Sequence, residues 1–258
     1  MTGQGEKGVS TAALTVRNIS KSFGAFKAVD GVDLDIATGE IHAMIGPNGA
    51  GKTTCFNLLT GDLPLTNGEI QLHGKVISGL ATDVIARQGL VRSYQISSIF
   101  PDFTVLNNVR FALQQKRASN FDFWRPERSL NTLNDRAMEL LENLDLDPWA
   151  DHRAGELPYG RKRALEIATT LALDPSVLLL DEPTSGMGRE DIGRVTDLIR
   201  KVAVGRTVLM VEHNLSVVQG LCDKVTVLAR GQVIAQGTYD EVANDARVVE
   251  AYLGAVHA

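Results

Sequence analysis

Gly46-Pro47-Asn48-Gly49-Ala50-Gly51-Lys52-Thr53, with Thr54 following, is the stretch that decides the fold. It reads G-x-x-x-x-G-K-[ST], a phosphate-binding loop. The glycines let backbone N–H groups turn inward and cradle phosphate oxygens. Lys52 is placed to reach the β- and γ-phosphates as a point charge, and the Thr53 hydroxyl to ligate Mg²⁺. Such a loop needs a strand before it and a helix after it. Ile41-His42-Ala43-Met44-Ile45 is a short, mainly apolar run, and the stretch from Thr53 to Thr60 carries Phe56, Leu58 and Leu59, with Gly61 to stop the helix. The helix N-terminus adds its positive dipole end to the anion site.

A second motif lies far downstream. Val177-Leu178-Leu179-Leu180 is a continuous apolar run, as expected of a strand buried on both faces, and it ends in Asp181-Glu182. This is the Walker B pattern. Asp181 is placed to hold Mg²⁺ through water, and Glu182 to orient and polarise the attacking water.

Around these motifs the chain keeps an α/β rhythm. Leu14-Thr15-Val16 and Val32 to Ile36 read as strands, the second with Val32, Leu34 and Ile36 on one face and Asp33 and Asp35 on the other. Glu69 to Leu72, ended by Gly74, is another. Ile192, Val195, Leu198, Ile199 and Val202 mark a helix, Thr207 to Val211 a buried strand, and Val248 to Leu253 a short final helix. Val225 to Leu228 and Gln232 to Ala235 flank Arg230-Gly231 as a hairpin. The middle differs in texture. Leu130, Leu133, Ala137, Leu140, Leu141 and Leu144 recur at helical spacing, and a further helix is expected from about Gly160 to Leu173. The preceding Ser119 to Ser129 carries Phe121, Phe123, Trp124 and Pro126 without a period, a loop that packs aromatics or docks them on a partner. Residues from about 104 to 173 therefore read as a helical subdomain inserted into an α/β core.

Composition bounds the function. The 258 residues fit one large α/β domain or two small ones, and the net charge of −5 argues against nucleic acid or anionic lipid as a broad electrostatic partner. The two cysteines, Cys55 and Cys222, have no metal-like spacing and make no disulfide scaffold, so the cytosol is the natural compartment. No stretch reaches the length of a membrane span. Met1 to Thr11 is polar and glycine-containing, without the apolar core of a signal peptide, and reads as a flexible tail. Work at a membrane would then run through a partner that spans it.

Leu157-Pro158-Tyr159-Gly160-Arg161 precedes a helix and stands about twenty residues before Asp181, in the place of the signature motif of ATP-binding cassette (ABC) ATPases. With it, the chain resembles an ABC transporter ATP-binding subunit over nearly its full length. The resemblance implies a P-loop NTPase core, RecA-like with a mixed sheet, carrying an N-terminal antiparallel β subdomain and an inserted α-helical subdomain, over residues 12–258. Phe23 resembles the aromatic that stacks on adenine, Gln95 the glutamine that meets Mg²⁺ and the attacking water, and His213 the switch histidine on the γ-phosphate. Ser185-Gly186-Met187-Gly188 stands where the D-loop follows Walker B. His42, His73, His152 and His257 match no motif. Two departures stand out. Pro158 replaces the signature serine, leaving the Gly160 N–H and the helix N-terminus as donors, and Gly188 replaces the D-loop aspartate.

Softer motifs narrow the resemblance. Leu157-Pro158-Tyr159-Gly160 with Leu165-Glu166-Ile167-Ala168, Glu182-Pro183-Thr184-Ser185-Gly186-Met187, Val211-Glu212-His213, and the tail Gly237-Thr238 with Ala251-Tyr252-Leu253-Gly254 are similar to the ATPases of branched-chain amino acid importers and their urea or short-amide relatives. The resemblance implies ATP and Mg²⁺ as ligands and a head-to-tail pair with a second cassette, copy or paralogue. In that pair Lys52, Thr53, Gln95, Asp181, Glu182 and His213 act in cis, and Leu157 to Arg161 in trans. It also implies two integral-membrane permease subunits, indirectly a periplasmic or extracellular substrate-binding protein, and a place on the cytoplasmic face of the inner membrane. Ile96 to Thr104, with Phe100, Pro101 and Phe103, is either the wall of a permease-docking groove or ordinary loop packing. The competing readings are the ATPase of a lipid or lipopolysaccharide exporter and a soluble, non-transport ABC ATPase. A small-molecule kinase would leave the signature and the switch histidine unexplained.

Overall fold

The computed structural model describes residues 12–93, 99–117 and 133–254. In chain order the strands are β1 (Ala12–Phe23), β2 (Phe26–Ala37), β3 (Ile41–Ile45), β4 (Asn67–Leu72), β5 (Lys75–Val76), β6 (Leu90–Ser93), β7 (Val177–Asp181), β8 (Thr207–Val211), β9 (Lys224–Ala229) and β10 (Gln232–Gly237). The helices are α1 (Lys52–Leu59), α2 (Thr82–Arg87), α3 (Val105–Arg117), α4 (Asn134–Glu142), α5 (Tyr159–Leu171), α6 (Arg189–Val202), α7 (Leu215–Leu221), α8 (Tyr239–Ala243) and α9 (Ala246–Gly254).

Two sheets organise them. One is antiparallel with order β2-β1-β4-β5. The other has order β10-β9-β3-β8-β7-β6, parallel from β9 to β6, with β10 as an antiparallel edge. Strands β7 and β8 carry unbroken four-residue apolar runs, Val177 to Leu180 and Val208 to Val211, because both faces are covered. Along β7 the fully buried Leu178 and Leu180 face the core shared with α5 and α6, while Val177 and Leu179 face the core shared with α1 and the antiparallel sheet. Removing one such side chain, as in Leu179→Ala, costs about 2–5 kcal/mol.

The central strands β3, β7 and β8 and the terminal hairpin lie within a residue or two of their expected bounds, whereas β1 and β2 run twelve residues each, well past the expected segments. Their outer ends are exposed and irregular in register, so apolar alternation there is weak. The helix expected to carry Leu130 starts at Asn134, with Leu133 as its cap and residue 130 outside the described ones. Helices α3, α4 and α5 pack against one another. The tail 1–11 and the aromatic stretch 119–129 lie outside the described residues.

Candidate active site

Strands β3, β8 and β7 lie side by side in that order, all parallel. Their C-terminal ends form the sheet edge at which open α/β folds seat ligands. There β3 runs into the Gly46–Gly51 loop, β7 delivers Asp181 and Glu182, and β8 runs into His213. Three distant segments thus meet at one cleft of about 290 Å³, lined by Phe26, Ala28, Asn48, Gly49, Ala50, Gly51, Lys52, Thr53, Thr54, Glu182 and His213.

The loop takes its shape from its neighbours. Gly46 has φ 151° and Gly51 φ 103°, and a Cβ would stand 2.1 Å from the Leu228 carbonyl oxygen at Gly46 and 2.6 Å from that of Ala28 at Gly51. Only glycine lets β9 and β2 press so closely on the loop. Lys52 is nearly buried and donates from Nζ to the carbonyls of Gly46 at 2.7 Å and Pro47 at 3.0 Å. Burial pushes its ammonium below the usual lysine range, while Glu182 and Asp181 pull it back up. Thr53 is exposed at the start of α1, beside the first unpaired helix amides. The phenol of Tyr252 on α9 lies against the Gly46 backbone. Burial raises its pKa, and the hydrogen bond to Gly46 opposes that rise.

Asp181 is held at both ends. Its carboxylate pairs with Arg92 of β6, which also donates to Asn57 Oδ1 at 2.6 Å. Its carbonyl accepts from Arg163 of α5 at 2.9 Å, and Arg163 pairs with the buried Glu166 at 2.6 Å. Burial pushes the Glu166 carboxyl up, against the pull of Arg163. Glu182 has φ 45°, a left-handed conformation that costs a non-glycine residue about 1–2 kcal/mol. Its N–H donates to the Val211 carbonyl at 2.9 Å, and its Oε1 meets His213 Nε2 at 2.7 Å. A partly exposed carboxylate beside an imidazole can take a proton from water and pass it on.

Thr53 and Asp181 offer hard oxygen donors, as Mg²⁺ requires when substrate phosphates and waters complete its shell. Among the described residues no group of three or more His, Cys, Asp or Glu comes together as a metal cage of its own. Gln95 lies outside the described residues.

None of residues 157–161 lines the cleft. Leu157 is buried, Pro158 caps α5, and Tyr159 and Gly160 open the helix, with the Tyr159 hydroxyl donating to the Ser185 carbonyl at 3.1 Å. The Arg161 guanidinium lies over the Trp149 ring at 4.5 Å. Phe23 stands at the end of the β1–β2 hairpin, half exposed, with the Lys21 ammonium over its ring. Its cross-strand partner Phe26 lines the cleft instead. Motif order points to Phe23 alone; the pairing of two aromatics across one tight turn was the available signal for Phe26.

A family profile described as ABC transporter matches residues 29–185, and one described as branched-chain amino acid ATP-binding cassette transporter matches residues 232–258. The chain belongs to the ABC transporter ATP-binding cassette family. It is 37% identical to the high-affinity branched-chain amino acid transport ATP-binding protein BraF of Pseudomonas aeruginosa, over 95% of this chain and 99% of that one. To the lipopolysaccharide export system ATP-binding protein LptB of Escherichia coli it is 34% identical, over 94% and 98%. Among solved structures, the ADP conformation of the cassette MJ1267 superposes with a TM-score of 0.83 at 30% identity, covering 94% of this chain and 99% of that one. Members of this family hydrolyse ATP to power transport. Among the described residues, no helix of this cassette is long and apolar enough to cross a membrane.

Proposed function

We propose that this cassette hydrolyses ATP to drive uptake of branched-chain amino acids, or of related small amino acids and amides, through separate permease subunits. The observation that carries the solute class is the match of residues 232–258 to the branched-chain amino acid cassette profile. Similarity to LptB makes lipid or lipopolysaccharide export the second reading.

The loop amides and the Lys52 ammonium bind the β- and γ-phosphates. Thr53, Asp181 and Gln95 would hold Mg²⁺, which would neutralise phosphate charge when bound. Glu182 orients a water and accepts its proton as the water oxygen attacks the γ-phosphorus. The bond to the β-phosphate oxygen breaks and ADP leaves with the electron pair. His213 faces the γ-phosphate and steadies Glu182. Positioning and charge stabilisation supply most of the rate. Phe23 or Phe26 stacks on the base. Residues 157–161, which do not line their own cleft, complete the site of a second cassette in a head-to-tail pair.

Permease docking is supported by a groove of about 270 Å³ whose lining includes Leu90, Val91, Phe100, Phe111 and Leu173. Phe100 stacks on Phe103 at 5.2 Å and meets Phe111 edge-on at 5.0 Å, and all three rings are exposed. An exposed apolar cluster of this kind is a surface for a partner helix. The cassette would then sit at the cytoplasmic face of the membrane through its permeases, with a binding protein supplying solute from the other side.

Light scattering on Glu182→Gln with and without Mg-ATP tests the paired site. An ATP-dependent shift from monomer to dimer supports it, and a lasting monomer assigns completion of the site to another chain. Uptake of labelled leucine by cells carrying this cassette with its permeases tests the solute, and transport that excludes amino acids and amides overturns that part.

A further inference from the structure

Glu212 is 2% exposed, and both its carboxylate oxygens are satisfied by backbone amides and one hydroxyl; among the described residues it forms no ion pair. Oε1 accepts from the Thr184 N–H at 2.9 Å and the Thr184 hydroxyl at 2.5 Å. Oε2 accepts from the His213 N–H at 2.8 Å and the Asn214 N–H at 3.0 Å. All four donors lie on two turns, one after β7 and one after β8. Thr184 is itself buried, two residues beyond Glu182. Hydrogen bonds to an ionised acceptor are short and strong, and a buried carboxylate with four of them is rigidly placed.

We infer that Glu212 is a positioning residue for the hydrolysis proposed above: it clamps the turn that carries Glu182 to the turn that carries His213. The inference rests on that reading for its effect on rate, but the clamp itself does not. Ladder pairing ends at the Asp181–Val211 register, with the Glu182 N–H bonded to the Val211 carbonyl just beyond it; past that bond Thr184 is tied to His213 and Asn214 through a side chain. Glu212 takes over there, one oxygen for each turn. Glu182 in its left-handed conformation and His213 2.7 Å away thus lie on turns that one side chain ties together. The clamp reaches further, since Ser185, whose carbonyl accepts from Tyr159, follows Thr184 directly.

Glu212→Gln separates this from plain core support. An amide offers one acceptor oxygen. Its NH₂ is tolerated only on the Thr184 side, where the hydroxyl can turn to accept, so the Thr184 N–H loses its partner while His213 and Asn214 keep theirs. Amide hydrogen exchange of the nucleotide-free protein should therefore speed up at Thr184 and stay slow at His213 and Asn214. ATP hydrolysis should fall about 10- to 100-fold in kcat, as expected for a small misplacement of reacting groups, with fluorescent-nucleotide affinity within about 2-fold of wild type. In a His213→Ala background the same change should cost no more than about 2-fold, because the two effects share one interaction. Thr184→Val, which keeps the amide and loses the hydroxyl, should lie between wild type and Glu212→Gln, and replaces it if that variant does not fold. Unchanged exchange at Thr184 removes the clamp. An equal loss of kcat in both backgrounds makes Glu212 a fold-support residue only. Faster exchange in a chain whose wild type and Lys52→Ala forms are equally inactive would retain the clamp and overturn the hydrolysis reading.

Discussion

Glu182 and His213, 31 residues apart in the chain, meet at 2.7 Å across the mouth of the cleft. The contact lets either residue tune the other: the carboxylate holds the ring in one orientation, and the ring keeps the carboxylate from swinging into solvent. Loss of His213 should then lower turnover without touching nucleotide affinity. His213→Ala is expected to cut kcat by about 100-fold, within the range of acid–base contributions, and Glu182→Gln at least as much. Steady-state hydrolysis with parallel nucleotide-binding measurements checks both. A His213→Ala protein with wild-type kcat would leave the contact without a catalytic role.

Lys52 should behave in the opposite way. Its ammonium is nearly buried, and its replacement by alanine takes away the charge that, on the proposed reading, meets phosphate while leaving the loop glycines in place. Nucleotide affinity should fall by about 100-fold, on the scale of about 2–3 kcal/mol for a charge-assisted contact. Isothermal calorimetry with ATP reads this directly. Unchanged affinity would contradict phosphate binding by this loop.

On the proposed reading, base stacking falls to Phe23, to Phe26 or to both. Lining of the cleft by Phe26 predicts that Phe26→Ala weakens ATP more than Phe23→Ala, by about 5- to 30-fold for one lost stacking contact. Binding of ATP set against inorganic triphosphate isolates the base from the phosphates. A larger loss at Phe23 would return the role to the residue that motif order selects.

Both cysteines should resist alkylation. Burial pushes the thiols of Cys55 and Cys222 up to about 12 from 9.0. The thiolate is the reactive form, so a rise of three units leaves roughly a thousand-fold less of it at pH 8 than in the unfolded chain. Iodoacetamide at pH 8 should label the native protein very slowly and the urea-unfolded protein quickly, with labelling of the native form rising as pH increases towards 12. Rapid native labelling at either residue, read by mass spectrometry, would show that the segment around it opens.

Much of this site is written locally. The phosphate loop, the acidic strand end and the apolar runs of β7 and β8 are contiguous patterns, and strands buried on both faces announce themselves by long apolar runs. What escaped depends on pairing across the chain. Arg92 reads as one more strand residue until β6 sets it beside Asp181. Glu212 reads as the residue before a histidine until Thr184 comes within reach. Helix α2, six residues with only Ile85 buried, has too little periodicity to announce itself. The β1–β2 ends were cut short for a related reason: half-exposed strands alternate weakly, and their length is set by partners rather than by composition.

Lys52 bonded to Gly46 and Pro47 has a bearing on selectivity. Because the ammonium already closes the loop on itself, an arriving anion does not have to order a slack segment; that entropy was spent when the chain folded. It must instead outbid two carbonyls for the charge. A short anion that satisfies the loop amides alone leaves the lysine where it is and gains little. A polyphosphate long enough to reach past the amides draws the ammonium off its carbonyls and gains twice. On the proposed reading the loop thus favours a guest long enough to reach the lysine, whatever base that guest carries.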